Sequence, residues 1–119
     1  MFKEQLSQNF ATSVFDRPLG VTFVQIGELS RWVNSRNWGI SRRQELGEWV
    51  GQFPIVHSSA AIAQRWGEIV ANASRRGRPV PINDSWIAAC CLTHGLPLVT
   101  LNKRDFADFA EFEGLELIS

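Results

Sequence analysis

The chain has 119 residues, 45% of them hydrophobic, and its five Trp and eight Phe can fill the core of one compact domain. Twelve basic residues balance twelve acidic residues, so the net charge gives no general attraction to nucleic acid or to an anionic membrane. The longest apolar run, Trp86 to Leu92, is too short to span a bilayer and the N-terminus has no apolar signal core, so we expect one domain over residues 1–119 in the cytoplasm, without a membrane partner.

The first half of the chain alternates helical and strand patterns. Apolar residues recur every four positions from Phe2 to Val14, which predicts an amphipathic helix. Residues 21–25 are rich in β-branched and aromatic types and predict a buried strand, followed by a helix over 26–35. Further predicted elements are a helix over 41–50, a strand over 54–56 and a helix over 59–75 with Ser59 as its N-cap.

The second half begins with a basic Gly-Pro loop, residues 75–81, and continues the alternation. We expect a helix over 84–94, a strand over 98–101, a short helix over 103–109 and a last strand over 115–118. The adjacent Cys90 and Cys91 are too close for an ordinary disulfide and indicate core residues in a reducing compartment. Alternating strands and helices predict an α/β fold, a parallel sheet flanked by helices on both faces.

Three acids are predicted to meet at one edge of this sheet. Right-handed crossovers place helix N-termini at the carboxyl edge of parallel strands, where ligand crevices open. Glu28 and Asp105 each follow a predicted strand, and Asp84 begins a helix. Each also has a structural interpretation: Asp84 as an N-cap, Asp105 as a helix-dipole partner, and Glu28 as a boundary residue reaching solvent. Their convergence favours a shared role.

A cluster of carboxylates without His or Cys suits Mg²⁺ or Mn²⁺, and such ions activate water and stabilise charge on phosphoryl groups. Phosphodiester hydrolysis is therefore the expected chemistry. Thr100 and Asn102, at the end of the predicted strand, could orient a water or a carboxylate, or could simply be a polar strand end. Three loop arginines could contact RNA phosphates or form a solvated basic loop: Arg75, Arg76 and Arg78.

The segments that carry these acids resemble those of the PIN-domain family, in particular VapBC-type toxin ribonucleases. Residues 77–89 read GRPVPINDSWIAA, residues 95–106 read GLPLVTLNKRDF, and a weaker likeness lies in VTFVQIGEL at residues 21–29. By this resemblance Glu28, Asp84 and Asp105 match the second, third and fourth acidic positions of the family. The resemblance implies Mg²⁺-dependent cleavage of RNA, control by a cognate antitoxin, and a homodimer.

One departure from the family pattern concerns the N-terminus. The family opens with an apolar strand ending in an Asp that binds metal, whereas this chain opens with the predicted helix from Phe2, and Asp16 follows helical rather than strand sequence. The PIN-like domain is thus interpreted as truncated at its N-terminus. Either Met1 is an internal methionine of a longer reading frame, or the short chain is the true product and poorly active.

Two hypotheses about function remain open. The first is a metal-dependent endoribonuclease, the toxin of a toxin–antitoxin pair. The second is a catalytically degenerate domain that binds an antitoxin-like partner or RNA. Three aromatic residues, Trp32, Trp38 and Trp49, belong either to the core or to a helical clip that holds an antitoxin peptide.

Overall fold

A computed structural model describes residues 20–118 of the chain, in which helices and short parallel strands alternate. The helix predicted from Phe2 to Val14 lies outside the described residues. The strands are β1 (Val21–Thr22), β2 (Ile55–Val56), β3 (Leu98–Val99) and β4 (Leu117–Ile118). The helices are α1 (Phe23–Ser35), α2 (Ile40–Val50), α3 (Ala60–Arg75), α4 (Ile82–His94) and α5 (Ala107–Glu113), with a 3-10 turn at Lys103–Phe106.

The strands form two parallel pairs. Val21 lies opposite Ile55 in the β1–β2 pair, and Leu98 lies opposite Leu117 in the β3–β4 pair. The α/β class and the parallel direction confirm the prediction, but within residues 20–118 the two pairs are not hydrogen-bonded into one sheet.

The first strand is shorter than predicted. The sequence predicted a strand through Gln25, but helix α1 begins at Phe23. The Thr22 hydroxyl accepts a hydrogen bond of 3.1 Å from the Gln25 amide, and the Gln25 side chain accepts one of 2.9 Å from the Thr22 amide. This capping box satisfies two backbone donors that a helix start leaves unpaired, so the helix begins within a β-branched segment.

The main core lies between α3 and α4. It joins Ile62 and Ile69 of α3 to the buried face of α4, and is closed by Phe106 and Phe109. Cys90 and Cys91 are free thiols in this core, where burial raises the pKa of Cys90 to about 11 and that of Cys91 to about 12. Both are therefore neutral core residues at physiological pH, as predicted.

A second, smaller core joins α1 to α2. It contains Val33, Leu46 and Trp49, with Trp38 packed against it. The rings of Trp32 and Trp38 lie 5.3 Å apart, and both are half-buried. The interpretation of these tryptophans as core residues is thus confirmed for Trp49 and fits the packing of the other two.

The remaining helices were predicted, but two have other bounds: α4 begins at Ile82 rather than at residue 84, and the short helix predicted over 103–109 is a 3-10 turn followed by α5, which extends to Glu113. Ser59 caps α3, because its hydroxyl accepts a hydrogen bond of 3.2 Å from the Ile62 amide. Helix α4 ends at Gly95, which has φ of 63° and so takes the left-handed conformation that glycine adopts without strain. Among the helices within residues 20–118, none combines the length and apolar character needed to cross a membrane.

Candidate functional site

Asp84 lies in the first turn of α4. The N-cap of this helix is Pro81, so Asp84 is the third helical residue and the alternative interpretation as the N-cap is wrong. Proline supplies no side-chain cap, and the carboxylate of Asp84 instead contributes favourable negative charge to the first turn. The side chain is half-buried, which leaves it open to a ligand on one side.

The three predicted acids influence one another electrostatically. Burial raises the pKa of Asp84, and the negative charge of Asp105 raises it further. Burial also raises the pKa of Glu28, and there the additional repulsion comes from Asp84. Because such effects weaken with distance, Asp84 lies near enough to Glu28 and to Asp105 for each pair to interact electrostatically.

This neighbourhood fits a cation in charge and ligand chemistry. Carboxylate oxygens are the ligands that Mg²⁺ and Mn²⁺ prefer, and a cation would relieve the repulsion at Asp84. Glu28 and Asp105 are both exposed. Within residues 20–118, however, no three acidic, His or Cys side chains are arranged closely enough to hold a metal ion. A bound Mg²⁺ or Mn²⁺ therefore stays a prediction.

The turn that carries Asp84 is fixed by a buried hydrogen-bonded serine. The Trp66 indole nitrogen donates to the Ser85 hydroxyl at 2.9 Å, and that hydroxyl donates to the Ile82 carbonyl at 2.6 Å. The rings of Trp66 and Trp86 stack with centroids 4.5 Å apart and planes 5° from parallel. Helix α3 therefore contacts the first turn of α4 at Ser85 and at Trp86, which restricts the position of Asp84.

An open cavity of about 380 Å³ lies beside this turn and is called the aromatic cavity below. It forms where the first turns of α1, α3 and α4 meet. Phe23 and Trp86 contact each other there edge to face, with ring centroids 6.4 Å apart. The lining residues are Phe23, Val24, Ser58, Ser59, Ile62, Ala63, Asn83 and Trp86.

Thr100 and Asn102 shape the turn that carries Asp105. The Thr100 hydroxyl accepts a hydrogen bond of 3.0 Å from the Asn102 amide, and the Asn102 carbonyl accepts one of 3.0 Å from the Asp105 amide. These contacts give both residues a structural role in presenting Asp105. Their predicted part in orienting a water or a carboxylate stays a prediction.

Two of the loop arginines contact acids of α5. Arg76 lies 3.7 Å from Glu113 and places its guanidinium 4.0 Å from the ring centre of Phe112. Arg78 lies 3.3 Å from Asp108. Arg75 is exposed, and its guanidinium donates to the Asn72 side chain at 3.1 Å. The loop thus docks on α5, and RNA contact by these arginines stays a prediction.

Sequence reasoning missed the residues that support the acids. Trp66 and Ser85 are 19 positions apart, and no periodic pattern connects them. Asn83 precedes Asp84 in the PIN-like segment 77–89. Its place in the lining of the aromatic cavity could not be predicted, because that cavity forms only where three helices pack together. The sequence offered one signal for these supporting residues: the polar residues Asn83 and Ser85 flank Asp84 at the start of a helix.

Comparison with known proteins gives consistent results. The sequence matches the PIN domain family over residues 4–112. Ribonuclease VapC4 of Mycobacterium tuberculosis is 29% identical over 102 residues, which cover 84% of this chain and 75% of the relative. The tRNA(fMet)-specific endonuclease VapC of Shigella flexneri is 39% identical over 57 residues, which cover 48% of this chain and 43% of that enzyme.

Solved structures show the same fold. VapBC2 from Rickettsia felis, bound to a DNA fragment from its promoter, superposes with a TM-score of 0.77 at 20% identity and covers 98% of this chain and 82% of that chain. VapBC-5 from Mycobacterium tuberculosis gives a TM-score of 0.68 at 25% identity, with 82% of this chain and 79% of that chain covered. The fold described for residues 20–118 is therefore shared with toxin–antitoxin proteins.

Proposed function

This chain belongs to the PIN-domain family, and from that membership we propose that it is a metal-dependent endoribonuclease, the toxin of a type II toxin–antitoxin pair. The observation that carries the proposal is the match to the PIN family over residues 4–112, a range that includes Glu28, Asp84 and Asp105. The raised pKa of Asp84, caused by burial and by the charge of Asp105, agrees with a shared role for these acids. Similarity to two VapC ribonucleases supports RNA as the substrate. The buried free thiols suit action in the reducing cytoplasm.

The proposed mechanism assigns the three carboxylates to one divalent ion, Mg²⁺ or Mn²⁺. When bound, the ion supplies an activated water and neutralises charge on the phosphodiester. Asp84 would be the most restrained of the three ligands, because the hydrogen bond from Trp66 to Ser85 holds its helical turn. Glu28 and Asp105, which are both exposed, would supply the other two carboxylate ligands.

An antitoxin protein is the proposed partner. The solved relatives from Haemophilus influenzae and Rickettsia felis are VapBC assemblies, and this chain covers 83% and 82% of those chains. By the same likeness we propose a homodimer as the form that binds antitoxin. Sedimentation of the chain alone and with a co-expressed antitoxin tests both assemblies, and a chain that stays monomeric in both samples argues against them.

Cleavage of RNA by the purified chain tests the proposed activity. We expect cutting in Mg²⁺ or Mn²⁺, none in EDTA, and a loss of at least about a hundredfold in Asp84→Asn, since a ligand carboxylate is replaced by a neutral amide. Glu111→Gln, which neutralises an exposed acid on α5, is the matched control and should cut like the wild type. Equal cutting by Asp84→Asn and the wild type would refute the assignment.

A second candidate is a catalytically degenerate domain that binds an antitoxin-like partner or RNA. It is favoured by the lack, within residues 20–118, of three side chains arranged to hold a metal ion. This candidate predicts partner or RNA binding that is the same in EDTA and in Mg²⁺, and that Asp84→Asn leaves unchanged. Metal-dependent turnover by the chain would exclude it.

A further inference from the structure

We propose that the aromatic cavity binds one unpaired base of the RNA, next to the phosphate that is cut. The inference rests on the proposed ribonuclease function and adds a site for substrate recognition to it. The cavity holds about 380 Å³, which lies within the range of sites for small organic groups. The site would make cleavage depend on a single-stranded substrate, because a base can enter only after it leaves a helix.

The walls of the cavity suit a flat aromatic ring. Phe23 and Trp86 are half-buried, and both line the cavity while touching each other edge to face. Trp66 stacks behind Trp86, so the Trp86 ring is held in a fixed orientation. Proteins that read single-stranded RNA stack unpaired bases on aromatic side chains held in this way.

The lack of charge in the lining favours a base over a phosphate as the group that binds in the cavity. None of the described residues that line the cavity is charged. A phosphate would bring a negative charge into a cavity without a basic partner and near the coupled acids, which is unfavourable. A neutral base carries no such penalty and replaces water against the apolar surfaces of Val24 and Ile62.

The cavity also offers hydrogen-bonding groups that could distinguish one base from another. The Asn83 side chain is exposed at the lining and, among residues 20–118, has no hydrogen-bond partner. An amide both donates and accepts, so it can pair with the edge of a base. Ser58, in the connection between β2 and α3, adds an exposed hydroxyl to the lining.

The position of the cavity links the base to the site of cleavage. Asn83 precedes Asp84 directly in α4, and Trp86 lies two residues beyond it. Phe23 and Glu28 are likewise on one helix, α1. A base stacked in the aromatic cavity is therefore attached to a phosphate close to the coupled acids, so the occupant is a nucleotide that flanks the cut.

The test compares two alanine substitutions in α3. Ala63 lines the aromatic cavity and Ala61 does not, although both are exposed on the same helix. Ala63→Leu fills the cavity, and Ala61→Leu adds the same side chain elsewhere. Each variant, built in the full chain, is given a pool of short unpaired RNAs of random sequence, and the cut ends are sequenced to find base preferences.

Binding is then measured by fluorescence anisotropy with short RNAs in which each nucleotide in turn lacks its base, in EDTA so that no cutting occurs. At one position beside the cut, loss of the base should weaken wild-type binding about tenfold, as expected for one stacked base. Ala61→Leu should keep that penalty and Ala63→Leu should lose it. Asn83→Ala should reduce the base preference at the same position, whereas Gln64→Ala should not.

Two other outcomes would overturn the inference in distinguishable ways. If the wild type cuts RNA but no single missing base weakens binding, or if Ala63→Leu and Ala61→Leu behave alike, the cavity has no such role while the ribonuclease function stands. If the chain neither cuts nor binds RNA, the proposed function fails and the base site fails with it. Circular dichroism of both leucine variants identifies any loss of fold.

Discussion

Trp66 donates a hydrogen bond of 2.9 Å from its indole nitrogen to the hydroxyl of Ser85, the residue that follows Asp84. Ser85 is fully buried, and its hydroxyl in turn donates a hydrogen bond to the Ile82 carbonyl. A residue in the middle of α3 thus fixes the acid-bearing turn of α4. The position of Asp84 is therefore set by the packing of two helices, and substitutions in this contact should affect stability and activity together.

Ser85→Ala should lower the free energy of unfolding by about 1–3 kcal/mol, because it leaves the Trp66 N–H without its partner in a partly buried position. Urea denaturation measures the change. Ser74→Ala, at an exposed serine near the end of α3, is the matched control and should stay within about 0.5 kcal/mol of the wild type. A difference of similar size for both serines would show that the buried hydrogen bond contributes little.

Asp84→Asn should stabilise the metal-free protein at neutral pH. Burial and Asp105 raise the pKa of Asp84, and a carboxyl with a raised folded-state pKa favours the fold when protonated and opposes it when charged. The gain should be about 1 kcal/mol or less, since solvent screens the partly exposed group. It should shrink as the pH falls through the raised pKa toward the ordinary value of about 4.

Urea denaturation in EDTA at several pH values measures this effect. Glu111→Gln, at an exposed acid, controls for the loss of one negative charge. Added Mg²⁺ should stabilise the wild type and leave Asp84→Asn unchanged, because the ligand is missing. A gain for Asp84→Asn that grows as the pH falls would contradict the assigned direction of the pKa shift.

Glu113→Gln should destabilise the fold by about 2 kcal/mol, whereas Glu68→Gln should cost less than about 1 kcal/mol. Both glutamates contact Arg65, at 3.5 Å and 3.0 Å respectively. The Glu113 side chain is only 4% exposed and also contacts Arg76, while that of Glu68 is 61% exposed. Thermal unfolding compares the two, and equal losses would show that burial adds nothing to this ion-pair network.

Arg75→Ala should weaken RNA binding and lower the slope of log affinity against log salt by about one, as expected when one phosphate contact is lost. The Arg75 guanidinium is exposed beside the loop and has no acidic partner among residues 20–118. Arg42→Ala, at an exposed cation on α2, provides the matched control. An unchanged salt slope in Arg75→Ala would show that Arg75 does not contact an RNA phosphate.

Much of the fold could be predicted because local patterns determine it. The helical stripe that includes Ile62 and Ile69 and the N-cap at Ser59 gave α3 almost to the residue. The predicted start of α1 was wrong. Residues 21–25 have high strand propensity, but the capping box between Thr22 and Gln25 starts the helix at Phe23. Short-range hydrogen bonds of this kind depend on side-chain geometry that composition does not show.

The candidate site could be predicted only in part. The topology predicted that Glu28, Asp84 and Asp105 lie at one edge of a sheet, and the raised pKa values of Glu28 and Asp84 agree with electrostatic interaction among these acids. Within residues 20–118, however, the three are not close enough to hold a metal ion. The side chains that hold and surround them were not predicted. The contact between Trp66 and Ser85 and the cavity lined by Phe23 and Trp86 arise from helices that pack across long sequence separations.

Manganese binding followed by electron paramagnetic resonance tests the central claim most directly, since it reports on the ion without requiring cleavage. If the three carboxylates share one ion, Glu28→Gln, Asp84→Asn and Asp105→Asn should each weaken Mn²⁺ binding by about tenfold or more, and Glu111→Gln should bind like the wild type. Wild-type Mn²⁺ affinity in all three site variants would contradict the account.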